Sequence, residues 1–194
     1  MLALYTGARR EELAQLHVQD VRQVDGLWVL DINKEPDSKG ELQKKVENAS
    51  AVRLIPLHPV LAETLRFPDY VESVRRQGHE RVFPLLKKVR TNFGHSFGSR
   101  FAKFKQTLSL EPSKGNKDFH SLRHTFSNYF KQNRLQGDEF SQVFGHKNQK
   151  LAAERYGDRF PVGTIYDRVI AKLDYGIDLA HLATSKFIPP VDAD

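Results

Sequence analysis

The sequence has no cysteine and no long apolar run, and each absence excludes a class of structure. Without cysteine the chain can form neither disulfide bonds nor thiolate metal sites, which fits a reducing cytosol. No stretch approaches the roughly 18 consecutive apolar residues that a membrane-spanning helix needs. The first residues also lack the basic segment that precedes the apolar core of a signal peptide. We therefore expect a cytoplasmic protein without a membrane partner.

What remains is the composition of a folded, basic protein. Of the 194 residues 39% are hydrophobic, and 13 are phenylalanines, enough for one well-buried core. The formal net charge of +6 favours a polyanionic partner such as nucleic acid, although many basic proteins bind no polyanion. Composition alone therefore predicts a soluble globular domain that could bind DNA or RNA.

The amino end is predicted to be helical. Residues 1–5 are apolar, so we expect the last turns of a helix whose beginning lies before this sequence. Gly7 can end that helix in the left-handed conformation. A second helix is predicted from Arg9 to about His17. Arg9 and Arg10 lie at its positive end, which fits two surface arginines and a bound anion about equally well.

Two short strands are predicted at residues 27–32 and 52–57 from their β-branched and aromatic content. The polar segment between them carries several lysines, so we expect an antiparallel pair of strands joined by a long basic loop. At least three of these lysines are expected only to face solvent. The lysines are Lys34, Lys39, Lys44 and Lys45.

Helical periodicity dominates the rest of the chain. In residues 59–78 a kink is expected at Pro68, and in residues 92–108 the buried side chains are expected to be Phe97, Phe101 and Phe104. Further helices are predicted from Asp118, at 140–144 ending at Gly145, at 152–157 and at 164–173. The sequence thus predicts a mixed α+β fold that is mainly α-helical, with a small antiparallel β-hairpin near the amino terminus.

The helix after Asp118 carries the clearest chemical pattern. One face is apolar at a helical period, through Phe119, Leu122 and Phe126. His120 and Arg123 are three residues apart, so on a helix they project from neighbouring positions. An imidazole beside a planar guanidinium suits a phosphate ligand. An isolated pattern of this kind usually marks a solvated helix face. Other motifs must show whether this face binds a phosphate.

Four motifs in this order resemble those of the tyrosine recombinases, the phage integrase family. Residues 6–13, Thr-Gly-Ala-Arg-Arg-Glu-Glu-Leu, resemble the family's T-G-x-R-x-x-E-L motif, and His-Ser-Leu-Arg-His at 120–124 resembles H-x-x-R-H. Residues 144–146, Phe-Gly-His, resemble L-G-H with Phe for Leu. Tyr156 follows ten residues later, where prophage-type integrases have their nucleophile. Each motif is weak alone, but four in order are specific, and the resemblance spans essentially the whole chain.

This resemblance implies a catalytic role for most of these residues. Tyr156 would attack a scissile DNA phosphate and form a 3′-phosphotyrosyl link. Arg9 and Arg123 would bind the non-bridging oxygens, while His120 and His146 would bind the phosphate and His120 would also handle the tyrosine proton. The chemistry is consistent, because a phenol with a pKa of about 10 needs cationic neighbours or a base. Fixed cations also stabilise the charge that develops in the transition state.

Other assignments within the resemblance are choices between neighbours. A lysine of the hairpin would protonate the leaving 5′-oxygen, and we choose Lys45 over Lys44. The glycine spacing favours the first arginine of the 6–13 motif over Arg10. Glu12 is expected to hold the arginine and its helix in place, and His124 to orient the site or simply pack.

The resemblance also implies a larger assembly. Complete family members carry an amino-terminal core-binding domain, so residues 1–178 would be the catalytic domain and residues 179–194 a docking tail. The partner would be double-stranded DNA at attachment sites, with no cofactor or metal. Members act as tetramers on DNA, although this fragment alone could be a monomer. Accessory DNA-bending or excision factors could take part.

Three other functions fit parts of the pattern. A type IB topoisomerase-like enzyme would use the same nucleophile to relax DNA, and a catalytically inactive DNA-binding module would use a recombinase fold without chemistry. A zinc hydrolase could use His120, His124 and His146, since histidines at i and i+4 can bind zinc. The sequence has no H-E-x-x-H motif and no evident acidic zinc ligand. The four motifs together favour a tyrosine recombinase over all three alternatives.

Overall fold

The computed structural model describes residues 1–37, 39–42, 44–45, 51–108, 118–145 and 159–185. This part of the chain is mainly helical with a small antiparallel sheet, which confirms the predicted fold class. The helices are α1 (Leu2–Thr6), α2 (Arg10–Ala14), α3 (Phe67–Arg76), α4 (Gly94–Thr107), α5 (His120–Gln132), α6 (Asp138–Phe144) and α7 (Val162–Arg168). Short 3-10 turns occur at Val18–Asp20, Ile170–Lys172 and Ala180–Thr184, and a π-helical turn at Val60–Thr64. None of the described helices has the length and apolar character needed to cross a membrane.

The sheet consists of β1 (Val21–Val24), β2 (Leu27–Ile32) and β3 (Arg53–Pro56), antiparallel and in that order. β2 and β3 are the two predicted strands and pair as predicted, with Leu30 opposite Ile55. The sequence pattern does not predict β1, because two of its four residues are polar. The signal that identifies it is Asp25-Gly26, whose φ values of 51° and 77° fit the two-residue turn that favours Asp-Gly.

Two predicted features of the first helices are wrong. α2 ends at Ala14 instead of near His17, whose backbone forms an isolated β-bridge with Arg81. The expected kink at Pro68 is displaced to Arg66, which has a φ of 45°. Pro68 lies in the first turn of α3, where a residue needs no backbone N–H donor.

Two later predictions are also corrected. Phe97 and Phe101 of α4 pack edge-on against Phe119, but Phe104, in the last turn of α4, is 56% exposed. The helix expected at residues 164–173 begins earlier and ends at Arg168, and a 3-10 turn follows it. The predicted end of α6 at Gly145 is confirmed, and Gly145 has a φ of 67°.

The core that positions the central helix is built from phenylalanine rings. Phe126 and Phe130 of α5 are fully buried and lie against Phe140 and Phe144 of α6. Each ring buried in this way contributes about 1.5–3 kcal/mol relative to an exposed one. The packing brings the first half of α5 beside the carboxyl end of α6.

The turn after α1 also lies against α5. Gly7 ends α1 with a φ of 62°, and a Cβ at this position would lie 2.5 Å from a ring carbon of Phe126. Both the backbone conformation and the space therefore require glycine. The close approach carries the start of α2, with Arg9, to the surface of α5.

Replacing Gly7 by alanine should therefore destabilise the protein through two separate effects. The left-handed backbone should cost about 1–2 kcal/mol, and the collision with Phe126 about a further 1–3 kcal/mol. Gly176 is the matched control, because its φ is 61° and a Cβ there would meet no atom within 4 Å. Urea denaturation of both variants measures the difference, and an equal loss in Gly7→Ala and Gly176→Ala would contradict the packing argument.

Candidate active site

Arg123 of α5 joins the three motifs at residues 6–13, 120–124 and 144–146. Its guanidinium donates hydrogen bonds to the carbonyl oxygens of Gly7 and Phe144, the second at 2.7 Å, and lies 3.6 Å from the Phe144 ring centroid. These partners are 116 and 21 residues away in the sequence. Because Arg123 is only 4% exposed, its orientation is set by the protein.

Glu12 holds Arg9 at the beginning of α2. The Glu12 carboxylate accepts hydrogen bonds from the Arg9 backbone N–H at 2.8 Å and from Arg9 Nη1 at 3.0 Å. The Arg9 side chain remains 23% exposed. Arg10 lies instead over α4, with its Nη1 only 2.6 Å from where a Cβ of Gly98 would be. The two neighbouring arginines thus serve different parts of the molecule.

Arg53 is a buried partner of Glu12 that the sequence analysis does not single out. From β3 it donates to both Glu12 oxygens, at 3.1 and 2.9 Å, and through Nε to the Val143 carbonyl at 2.6 Å. The side chains of Arg53 and Glu12 are 1% and 3% exposed. The available signal is strand alternation, because Arg53 lies on the same inward face as Ile55.

The charges around Glu12 keep it ionised. Burial raises the pKa of Glu12, but the hydrogen bonds and positive charge of Arg53, with the backbone N–H and charge of Arg9, outweigh burial and lower the pKa below 4.5. The carboxylate is therefore negative at neutral pH. It can hold two guanidinium groups at once.

His120 and His124 lie on the exposed face of α5, with ring centroids 4.6 Å apart and planes nearly perpendicular. The Asp118 side chain accepts a hydrogen bond from the His120 backbone N–H at 2.8 Å at the start of the helix. Partial burial lowers the pKa of His120, and the charges of His124, Arg123 and Arg9 act in the same direction, opposed by Asp118. The imidazole is therefore neutral at pH 7 and able to accept a proton.

The two candidate lysines lie in different environments. The Lys44 ammonium is buried and donates to Asp20 at 2.7 Å and to Asn33 at 2.8 Å. Lys45 is exposed, while its backbone N–H and carbonyl each form a 2.8 Å hydrogen bond with the Gln15 side chain. Lys34 and Lys39 are also exposed, so three of the four loop lysines have exposed side chains, whereas Lys44 is buried.

His146, Tyr156 and the helix predicted at 152–157 lie outside the described residues. The chain is described up to Gly145 and again from residue 159. On the second side, Gln142 of α6 bonds to the backbone of Phe160, accepting from its N–H at 3.0 Å and donating to its carbonyl at 3.3 Å. Gly145 directly follows α6 and Phe160 is hydrogen-bonded to it, so the chain on both sides of residues 146–158 lies at α6.

Among the residues that the structure describes, no group of three histidine, cysteine, aspartate or glutamate side chains could hold a metal ion. The zinc site considered above also needs His146, which is not among them. The beginning of the predicted docking tail contacts the same chain, because its Ala180–Thr184 turn lies beside the Val60–Thr64 turn. Residues 186–194 of that tail are outside the described ranges.

Comparison with protein-family models finds a match to the model described as Phage integrase family, over residues 1–161. That range covers well over half of the 194-residue chain. It contains all four motifs, the last of which is Tyr156, and both candidate lysines. The comparisons with curated proteins and with solved structures found no match.

Removing Arg53 should be far more costly than removing an arginine from an exposed pair. Arg53→Met leaves the Glu12 carboxylate buried beside an apolar side chain, so we expect a loss of about 3–5 kcal/mol in the free energy of unfolding. Arg22 on β1 is the matched control, since it also contacts a carboxylate, Asp31 at 2.8 Å, but is 48% exposed. Arg22→Met should cost less than about 1 kcal/mol. Urea titrations that gave equal losses would contradict the structural role of Arg53.

The neutral state of His120 can be measured directly by NMR titration of its imidazole ring. We expect a midpoint below 6.5, so that the ring gains its proton only in acid. His124→Gln removes one of the lowering charges and should move the midpoint upward. The resonance is assigned by its loss in His120→Gln. A midpoint above 6.5, or one that His124→Gln leaves unchanged, would contradict the electrostatic account.

Proposed function

We propose, from the premise that this chain belongs to the phage integrase family, that it catalyses site-specific DNA recombination through a 3′-phosphotyrosyl intermediate. The observation that carries the proposal is the position of Arg123, which bonds to the motifs at 6–13 and 144–146 from the motif at 120–124. Residues from three distant parts of the sequence thereby lie around one guanidinium. Family membership supports DNA recombination in general, and the strand-cleavage chemistry is our proposal.

In the cleavage step the Tyr156 oxygen forms a bond to the scissile phosphorus while the bond from phosphorus to the 5′-oxygen breaks. His120 accepts the phenolic proton, as a neutral imidazole can. The Lys45 ammonium gives a proton to the departing 5′-oxygen. One ester replaces another, so the reverse reaction on a new 5′-hydroxyl rejoins the DNA without an external energy source.

The cations at the site stabilise the charge that develops on the phosphate. Arg9 is partly exposed and can reach a bound phosphate, whereas Arg123 is buried, where its charge is weakly screened. His146 is proposed as a further phosphate ligand. Glu12 and Arg53 do not contact the substrate in this proposal, and they fix the position of Arg9 before the substrate binds.

The substrate would be double-stranded DNA at attachment sites, and its binding should weaken as salt increases. We propose that residues 1–178 are the catalytic domain and that residues 179–194 reach a neighbouring protomer in a tetramer on DNA. Accessory DNA-bending or excision factors would join this assembly. We propose that the protein acts on this DNA in the cytoplasm.

The proposal is tested with a DNA duplex nicked close to the cleavage point, incubated in EDTA. We expect the chain to form a covalent protein–DNA adduct, seen on a denaturing gel. Tyr156→Phe should abolish the adduct because the nucleophilic oxygen is lost. Tyr166→Phe on α7 removes the same hydroxyl from a half-buried ring and should keep the adduct.

Other outcomes point to the alternative functions. DNA binding without any covalent link would identify an inactive binding module. Relaxation of supercoiled plasmid without exchange between two sites would identify a topoisomerase-like enzyme. Activity that is lost in EDTA would favour the zinc hydrolase, since tyrosine attack needs no metal.

A further inference from the structure

We propose that Gln15 is a positioning residue for the general acid, and that it acts by holding the backbone of Lys45. The inference rests on the proposed function, in which a hairpin lysine protonates the departing 5′-oxygen. It adds a residue that lies outside the motifs of the resemblance. It also decides between Lys44 and Lys45 on structural grounds.

The Gln15 side chain pairs with Lys45 through both of its polar atoms. Its Oε1 accepts a hydrogen bond from the Lys45 N–H and its Nε2 donates to the Lys45 carbonyl, each at 2.8 Å. Gln15 is only 3% exposed, so neither bond competes freely with water. Two bonds to one peptide backbone fix its position and rotation, while the Lys45 side chain remains exposed.

Lys44 fixes the same stretch of chain from the inside. Its ammonium, with a side chain 2% exposed, is paired with Asp20 and hydrogen-bonded to Asn33. A buried ammonium must keep such partners, because an unpaired charge in the interior is strongly unfavourable. Lys44 is therefore committed to a structural role. Lys45 is the neighbour that can reach a substrate.

The position of Gln15 links the lysine to the phosphate site. Gln15 directly follows α2, and Arg9 directly precedes it. They are six positions apart in the sequence, which corresponds to about 9 Å along an α-helix. Lys45 is thus held at one end of the short helix whose other end carries a proposed phosphate ligand. The flexible four-carbon stem of a lysine can cover part of that distance.

Substitutions of Lys45 and Gln15 should slow adduct formation by different amounts. Lys45→Ala removes the proton donor and should slow adduct formation about 10²- to 10⁴-fold, the usual contribution of a general acid. Gln15→Met keeps a side chain of similar length but breaks both hydrogen bonds. Because a displacement of about 1 Å can cost about 100-fold, we expect a loss of about 10- to 100-fold.

A substrate with sulfur in place of the bridging 5′-oxygen separates positioning from folding. A thiol has a pKa of about 8.5, so a thiolate leaves without being protonated. The covalent adduct should form on this DNA at nearly the wild-type rate with both Lys45→Ala and Gln15→Met. The free energy of unfolding of each variant is measured by urea denaturation on the same samples.

Gln142→Met is the matched control, because Gln142 forms the same two-bond pairing with the backbone of Phe160. It does not touch the acid, so any loss it causes should persist on the sulfur substrate. Equal losses of Gln15→Met on both substrates would reduce Gln15 to a folding role and overturn the proposal. The proposal would also be overturned if the sulfur substrate restored adduct formation by Lys44→Ala and not by Lys45→Ala. In both cases the wild-type chain would still form its Tyr156 adduct, so the proposed recombinase reaction would be unaffected. If the wild-type chain formed no adduct on either DNA, the proposed reaction itself would be contradicted.

Discussion

The carboxyl end of α6 is the constraint on which the rest of the site depends. Its Val143 and Phe144 carbonyls accept hydrogen bonds from Arg53 and Arg123, two guanidinium groups from different parts of the chain. The last carbonyls of a helix lack partners within it and carry the negative end of its dipole. A buried guanidinium in turn needs acceptors. Each therefore satisfies the other, and Gly145 leaves room for this arrangement because a Cβ there would lie 2.9 Å from Arg53.

Arg53 and Arg123 connect the end of α6 to the two sides of Arg9. Arg53 continues to Glu12, and Glu12 continues to Arg9 at the start of α2. Arg123 returns to α1 through the Gly7 carbonyl, two residues before Arg9. The proposed phosphate ligands are thus tied to the same helix end by independent contacts. All of these contacts are between groups of the protein and need no DNA, and electrostatic stabilisation of a transition state requires such a preformed frame.

Local patterns predicted what depends on neighbours in the sequence. The apolar stripe of α5 and the glycine after α6 were predictable because periodicity and left-handed caps are local properties. The role of Arg53 was not, since its partner Glu12 lies 41 residues away and only the folded sheet brings the two together. The break at Arg66 likewise reflects the first turn of α3, where Pro68 begins a helix instead of bending one. The residues named by the motifs could be predicted, and so could the contact of Glu12 with Arg9 inside one motif. The contacts that come from distant parts of the chain could not.

Lys44 and Lys45 show why a motif alone cannot assign a proton donor. The two residues are identical and adjacent, and both precede β3 by a similar distance. Their difference comes from Asp20 and Asn33, which receive the Lys44 ammonium at the base of the sheet. A lysine whose ammonium is buried and paired is held where a substrate cannot reach it, while a neighbour held through its backbone keeps an exposed side chain. The chemical role of a loop lysine is therefore determined by the acceptors around the adjacent residue, and these belong to other elements of the fold.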